Sequence, residues 1–72
     1  MLRLAMPFTP LQSSMLAGFE YDRDVRALKL KFRDGHEQVY LGVPSDVAEG
    51  LDLTDSPGGY FHKAIKDKFT SW

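Results

Sequence analysis

Five basic side chains crowd one short stretch of the sequence: Arg23, Arg26, Lys29, Lys31 and Arg33. Lysine and arginine neutralise phosphates, and an aromatic ring beside them gives a nucleobase a surface to stack on. Arg26, Lys29, Lys31 and Arg33, together with Tyr40, therefore form a candidate nucleic-acid-binding set. The plainer reading is that lysines alternating along a strand solvate its outer face and discourage edge pairing. A second candidate is the turn Ser56-Pro57-Gly58-Gly59, with Lys63 one helical turn further on. Free backbone N–H groups at a helix start attract anions, and glycine allows a phosphate to come close. Asp52 and Asp55 nearby oppose that use, and a capped helix start explains the same residues.

Other chemistry has less to work with. His36 and His62 have no third ligand at metal-site spacing, and Ser13 and Ser14 have no histidine and acid arranged as a nucleophile elbow. A hydrolase built around either histidine is the poorest reading. No metal, cofactor or small-molecule substrate is expected, and the chain reads as non-enzymatic. A protein-docking role has more support. The segment from Glu37 to Asp55 carries five acids (Glu37, Asp46, Glu49, Asp52, Asp55) and no lysine or arginine. Leu4 and Phe8 near one end, and Trp72 at the other, are adhesive side chains able to meet a partner or fold back on the domain.

These residues need a scaffold, and 72 residues allow one domain with a thin core. There is no cysteine to staple it, so apolar packing must hold it. The absence of cysteine, and of any run long enough to cross a membrane, fits a cytoplasmic protein that does not engage membranes. The net charge of −1 argues against bulk attraction to nucleic acid, but basic and acidic segments are separated along the chain.

Residues 1–13, broken by Pro7 and Pro10, read as an N-terminal tail, with the domain over 14–72. Three strands are expected, near 15–21, 26–32 and 37–43. In the second, Leu28, Leu30 and Phe32 alternate with Lys29, Lys31 and Arg33. Asp34-Gly35 is a hairpin signal. A two-residue turn there pairs Leu30 with Val39 and Leu28 with Leu41, and sends Gln38 and Tyr40 to the lysine face. A three-residue turn with Gly35 in a bulge slips the pairing by one and puts Tyr40 among the leucines. The first register is expected because it gathers apolar residues on one face. Ser45 after Pro44, and Ser56 before Pro57, then signal two helix starts. Val47 and Leu51 face inward from the first helix. Phe61, Ala64, Ile65 and Phe69 do so from the second. The expected fold is α+β: a three-stranded antiparallel meander followed by two helices on one face.

These residues resemble the KTSC domain, a family named after a C-terminal extension of some lysyl-tRNA synthetases. The resemblance covers residues 14–69. It rests on Ser14, Leu16, Phe19 and Tyr21-Asp22, then Leu28, Leu30 and Phe32 before Gly35. Tyr40, Val43-Pro44, Ser56-x-Gly58-x-Tyr60-Phe61 and Ile65-Lys66 complete it. The family usually carries a Tyr-x-Tyr pair on the third strand; Gln38 stands at the first position here and halves that aromatic platform. The resemblance implies a binding module associated with RNA or the translation machinery, RNA binding having been proposed for the family. The size, mixed charge and adhesive termini point alternatively to a protein-binding regulator, such as a small phage-type protein docking on RNA polymerase.

Overall fold

The computed structural model describes residues 8–72. Strands β1 (Thr9–Pro10), β2 (Leu16–Asp22), β3 (Ala27–Phe32) and β4 (Glu37–Leu41) are followed by helices α1 (Ser45–Leu53) and α2 (Pro57–Tyr60). A π-helical segment, Phe61–Ile65, continues α2, and β5 (Thr70–Ser71) ends the order. The strands form one antiparallel sheet in the order β1-β2-β3-β4-β5. The α+β class and the central meander match expectation. The strand count does not, because β1 and β5 are added at the two edges. Each is two residues long, too short to show alternation. β1 contains Pro10, which lacks an N–H and is tolerated on an edge strand. Leu11 follows β1 into the core.

The expected hairpin register is also corrected. Leu28 pairs with Tyr40, Lys29 with Val39, Leu30 with Gln38 and Lys31 with Glu37. The turn is the three-residue form. Phe32 N–H donates to the His36 carbonyl at 2.9 Å, Gly35 N–H donates to the Phe32 carbonyl at 3.0 Å, and Gly35 has φ +101°. Only glycine adopts that conformation without strain. Two side chains explain the outcome. The two-residue register would set Glu37 opposite Phe32, on the core side, where a carboxylate is costly to bury. The observed register turns Glu37 outward against Lys31 and brings the larger Tyr40 inward, leaving Val39 and Leu41 partly exposed.

The core lies between the sheet and the helical side. Leu16, Leu28, Leu30, Val43, Leu51 and Ile65 are fully buried there, joined by Leu11, Phe19, Tyr40, Ala48 and Phe61. Val47 and Ala64 pack against that cluster, as their spacing predicted. Phe69 does so too, but from the segment after the helix, which ends at Ile65 instead of reaching Phe69 as expected. Helix α1 starts one residue earlier than expected. Pro44 is its cap, and its carbonyl accepts the N–H groups of Val47 and Ala48 at 3.1 and 3.3 Å. Two phenols tie separate elements together: Tyr21 Oη, from β2, donates to the Val43 carbonyl before α1, and Tyr60 Oη, from α2, to the Val47 carbonyl of α1 at 2.9 Å. In the π-helical segment Lys66 N–H reaches back five residues to the Phe61 carbonyl at 2.8 Å. Asp67, with φ +67°, then reverses the chain toward β5.

Candidate functional site

The helices cover one side of the sheet. On the other, the pairing aligns Gly18 with Lys31, Glu20 with Lys29, Lys29 with Val39, and Lys31 with Glu37. This outer face is the candidate interaction surface. A bulge in β2 between Leu16 and Gly18 shifts the register at one end. A Cβ on Gly18 would overlap the Phe8 ring and the Thr9 carbonyl oxygen, so glycine there lets Phe8 lie over the strand. Phe8, 46% exposed, forms a shallow depression of about 240 Å³ with Glu20, Lys29, Lys31 and Glu37. At the opposite edge Trp72 N–H donates to the Val39 carbonyl at 2.8 Å, and the Trp72 side chain is 83% exposed. Alternation from Ser71, which pairs with Tyr40, sets Trp72 on the outer side with Val39. The Phe8 ring thus lies over β2, while Trp72 follows the opposite edge strand, β5.

The electrostatics differ from the expected basic face. Lys29 Nζ lies 3.4 Å from Glu20 Oε1 and 3.8 Å from Glu37 Oε1. Two lysines thus share the face with two glutamates, and its charge balances. Glu20 was not anticipated from the sequence, and Glu37 was counted there with the acidic segment and not with the lysines. A signal for Glu20 was present, since Glu20 and Lys29 are equally far from the turn at 23–26.

The predicted nucleic-acid set is dispersed. Lys29 and Lys31 share the outer face. Arg26 sits in the β2–β3 turn with φ +58°, and its carbonyl accepts the Val43 N–H at 3.0 Å. Arg33 is anchored to the segment after β1. Its Nε donates to the Ser13 carbonyl at 2.9 Å and its Nη2 to the Leu11 carbonyl at 3.0 Å. Tyr40 is 7% exposed and lies on the core side, its ring edge-on to Phe61, so it offers no stacking surface. Gln38 also lies on the core side, beside Leu30, and its amide donates to the Trp72 carbonyl at 3.1 Å. Burial pushes the Tyr40 phenol above its ordinary pKa, and Asp67 adds to the shift.

The anion candidate has a packing explanation. Ser56 caps α2 without a side-chain hydrogen bond, and α2 proper is a single turn before the π-helical segment takes over. Gly58 lies against Met15, Gly59 lies over the Ser56 side chain, and Lys63 is exposed in the π-helical segment. Of the adhesive residues, Phe8 and Trp72 are on the outer face, and Leu4 lies outside the described residues. The histidines pack against rings. His36 stacks on Phe32 at 4.3 Å between centroids and its Nδ1 lies 2.6 Å from Asp34 Oδ1, while His62 tilts against Phe61 at 5.3 Å. The His36 backbone N–H, followed by its ring, holds the Asp34 carboxyl below its ordinary pKa. Among the described residues, no group of three histidine or acidic side chains is placed to hold a metal ion. No helix among them is long and apolar enough to cross a membrane.

The family model of the KTSC domain matches residues 12–69. The chain belongs to the KTSC family. A crystal structure of a KTSC domain protein from Yersinia pestis superposes with a TM-score of 0.89 at 35% identity, covering 94% of this chain and 96% of that one. Lysine–tRNA ligase of Trichormus variabilis is 36% identical over 66 residues, which are 92% of this chain but 12% of the ligase. An uncharacterized protein of Stutzerimonas stutzeri is 36% identical over 56 residues, 78% of this chain and 79% of that protein. The KTSC domain is thus a region of lysine–tRNA ligases, and this chain spans about 12% of the length of the ligase relatives it matches. In this KTSC domain the tyrosine of the third meander strand, Tyr40, is a core residue.

Proposed function

We propose that this KTSC domain is a non-enzymatic binding module of an RNA-handling machine, contacting its partner through the outer face of the sheet. One observation carries the reading. The Phe8 ring over β2 and Trp72 beyond β5 lie on a face that also carries Lys29 and Lys31, while the opposite face is used up by the core. Exposed aromatic rings flanking a few cations suit unpaired bases and their phosphates. The kinship with a region of lysine–tRNA ligases supports the setting in the translation machinery. A cytoplasmic location, and the lack of a small-molecule substrate or cofactor, belong to the same reading.

A second reading is favoured by a different observation. Glu20 and Glu37 offset Lys29, so the face is balanced in charge, as suits a protein partner. In that case the domain is a protein-binding regulator, for instance one that docks on transcription machinery.

Titration of the full chain with a fluorescent ten-nucleotide oligouridine at several salt concentrations separates the two. Direct RNA contact predicts binding at low salt with a shallow dependence, a log–log slope of about −1 to −2, since only one or two phosphates can be neutralised. Trp72→Ala should then weaken binding by at least about fivefold, the lower end of what one base stack contributes. If the oligonucleotide does not bind at low salt, direct RNA contact is wrong, and the protein reading is pursued by pull-down from nuclease-treated bacterial lysate.

A further inference from the structure

A separate surface lies on the helical side. Ser45, Ala48, Glu49 and Asp52 recur along α1 at the spacing that keeps residues on one side of a helix. With Phe19, Tyr21 and Arg23 they line a groove of about 340 Å³. Buried Phe19 and Ala48 give it an apolar floor. Asp52 also lines a neighbouring hollow of about 600 Å³, together with Leu11, Gln12, Thr54, Asp55 and Pro57, so the two hollows adjoin at that side chain.

We propose that this trough is a docking groove for an extended, lysine- or arginine-bearing segment of a protein partner. Three of the lining residues are acids, Glu49, Asp52 and Asp55, against one cation, Arg23. Among the described residues neither Asp52 nor Asp55 has a cation within ion-pair distance. Arg23 already approaches Glu49, Nη2 to Oε2 at 3.8 Å, with both side chains mostly exposed (75% and 64%). Such a pair is held weakly, so an incoming guanidinium can displace Arg23 at small cost. A phosphate backbone would be repelled by the same rim.

Dimensions set the occupant's form. Ser45 to Asp52 spans about 10 Å of helix axis, the length of about three extended residues. The hollow on the other side of Asp52 extends the surface along which further residues can lie. In an extended segment alternate side chains point opposite ways, so apolar residues can meet Phe19 and Ala48 while basic ones reach Glu49, Asp52 and Asp55. This surface does not use the outer sheet face and stands or falls independently of it.

The test is fluorescence anisotropy of the full chain with a labelled hexapeptide of alternating arginine and leucine, and with its counterpart carrying glutamate in place of arginine. The arginine peptide should bind and the glutamate peptide should not. Glu49→Lys with Asp52→Lys should weaken binding by at least about tenfold, and Glu49→Gln with Asp52→Asn by less. Arg23→Ala should tighten it two- to fivefold, on the order expected for removing a weak competing ion pair. Lys29→Ala with Lys31→Ala should leave it unchanged. Equal binding of the two peptides overturns the proposal. So does indifference to the Glu49 and Asp52 changes, loss through the Lys29 and Lys31 changes, or no binding at all.

Discussion

Tyr40 lies directly opposite Leu28 across the β3–β4 pair, and its ring meets Phe61 edge-on at 6.0 Å between centroids. That contact couples the hairpin register to the packing of the last helical segment. A slip by one residue would remove the ring from Phe61 and bring Glu37 to the core side of the sheet. The register is thus decided by two side chains acting together, and the surface composition follows from it. Lys29 finds Glu20 and Glu37, and Val39 and Leu41 turn outward.

Replacing Tyr40 tests this directly. Tyr40→Ala empties a core position and should cost about 3–5 kcal/mol, the range for truncating a buried aromatic. Tyr40→Phe keeps the ring and should cost about 1 kcal/mol or less. Urea denaturation measures both. If Tyr40→Ala unfolds at the same midpoint as the parent, the ring is not in the core and the observed register is wrong.

Much of this was legible in the sequence, and the omissions have physical causes. The alternation of Leu28, Leu30 and Phe32 marks β3. Pro44-Ser45 and Ser56-Pro57 mark the helix starts within a residue. Two-residue strands carry no period, so β1 and β5 could not be read, and with them the places of Phe8 and Trp72. The register turned on whether one carboxylate or two aliphatic side chains should face water, a comparison that apolar counting alone decides wrongly. The charge balance around the candidate basic residues was hidden for a related reason. Which charges share a face depends on cross-strand partners, and Lys29 meets both Glu20 and Glu37 only once the registers of β2 and β4 against β3 are set.

Arg33 provides a second prediction. Its guanidinium holds the carbonyls of Ser13 and Leu11, and the Arg33 N–H donates to the Met15 carbonyl at 2.9 Å. The side chain therefore fastens the segment between β1 and β2 to the hairpin end of β3. Arg33→Ala should lower stability by about 1–3 kcal/mol, as for lost hydrogen bonds from a charged donor, moderated by exposure. Arg33→Lys should recover only part, because an ammonium cannot reproduce the fork that reaches two carbonyls. Hydrogen exchange should show faster exchange at the Leu11 and Met15 amides in both variants. Unchanged exchange there would mean that the segment is held by Leu11 packing alone.

Alkaline pH supplies the last prediction. Burial raises the phenol pKa of Tyr21, Tyr40 and Tyr60, with Asp67 adding to Tyr40 and Asp46 to Tyr60, while Arg26 and Arg23 partly offset the rise at Tyr21. In the unfolded chain all three titrate near pH 10. A raised folded value means that the native state holds its protons more tightly than the unfolded state. The associated stability is complete below about pH 10 and is lost as the pH climbs through the raised values. The urea midpoint should therefore be flat from neutral pH to about pH 9.5 and fall steeply above it. Phenolate absorbance should rise together with the loss of native structure, because ionising Tyr40 places a charge in the core. Tyr40→Phe should move the fall to higher pH, since the most buried of the three phenols is gone. A phenolate signal from all three tyrosines in a fully folded domain at pH 10 would contradict both the burial of Tyr40 and the packing that depends on it.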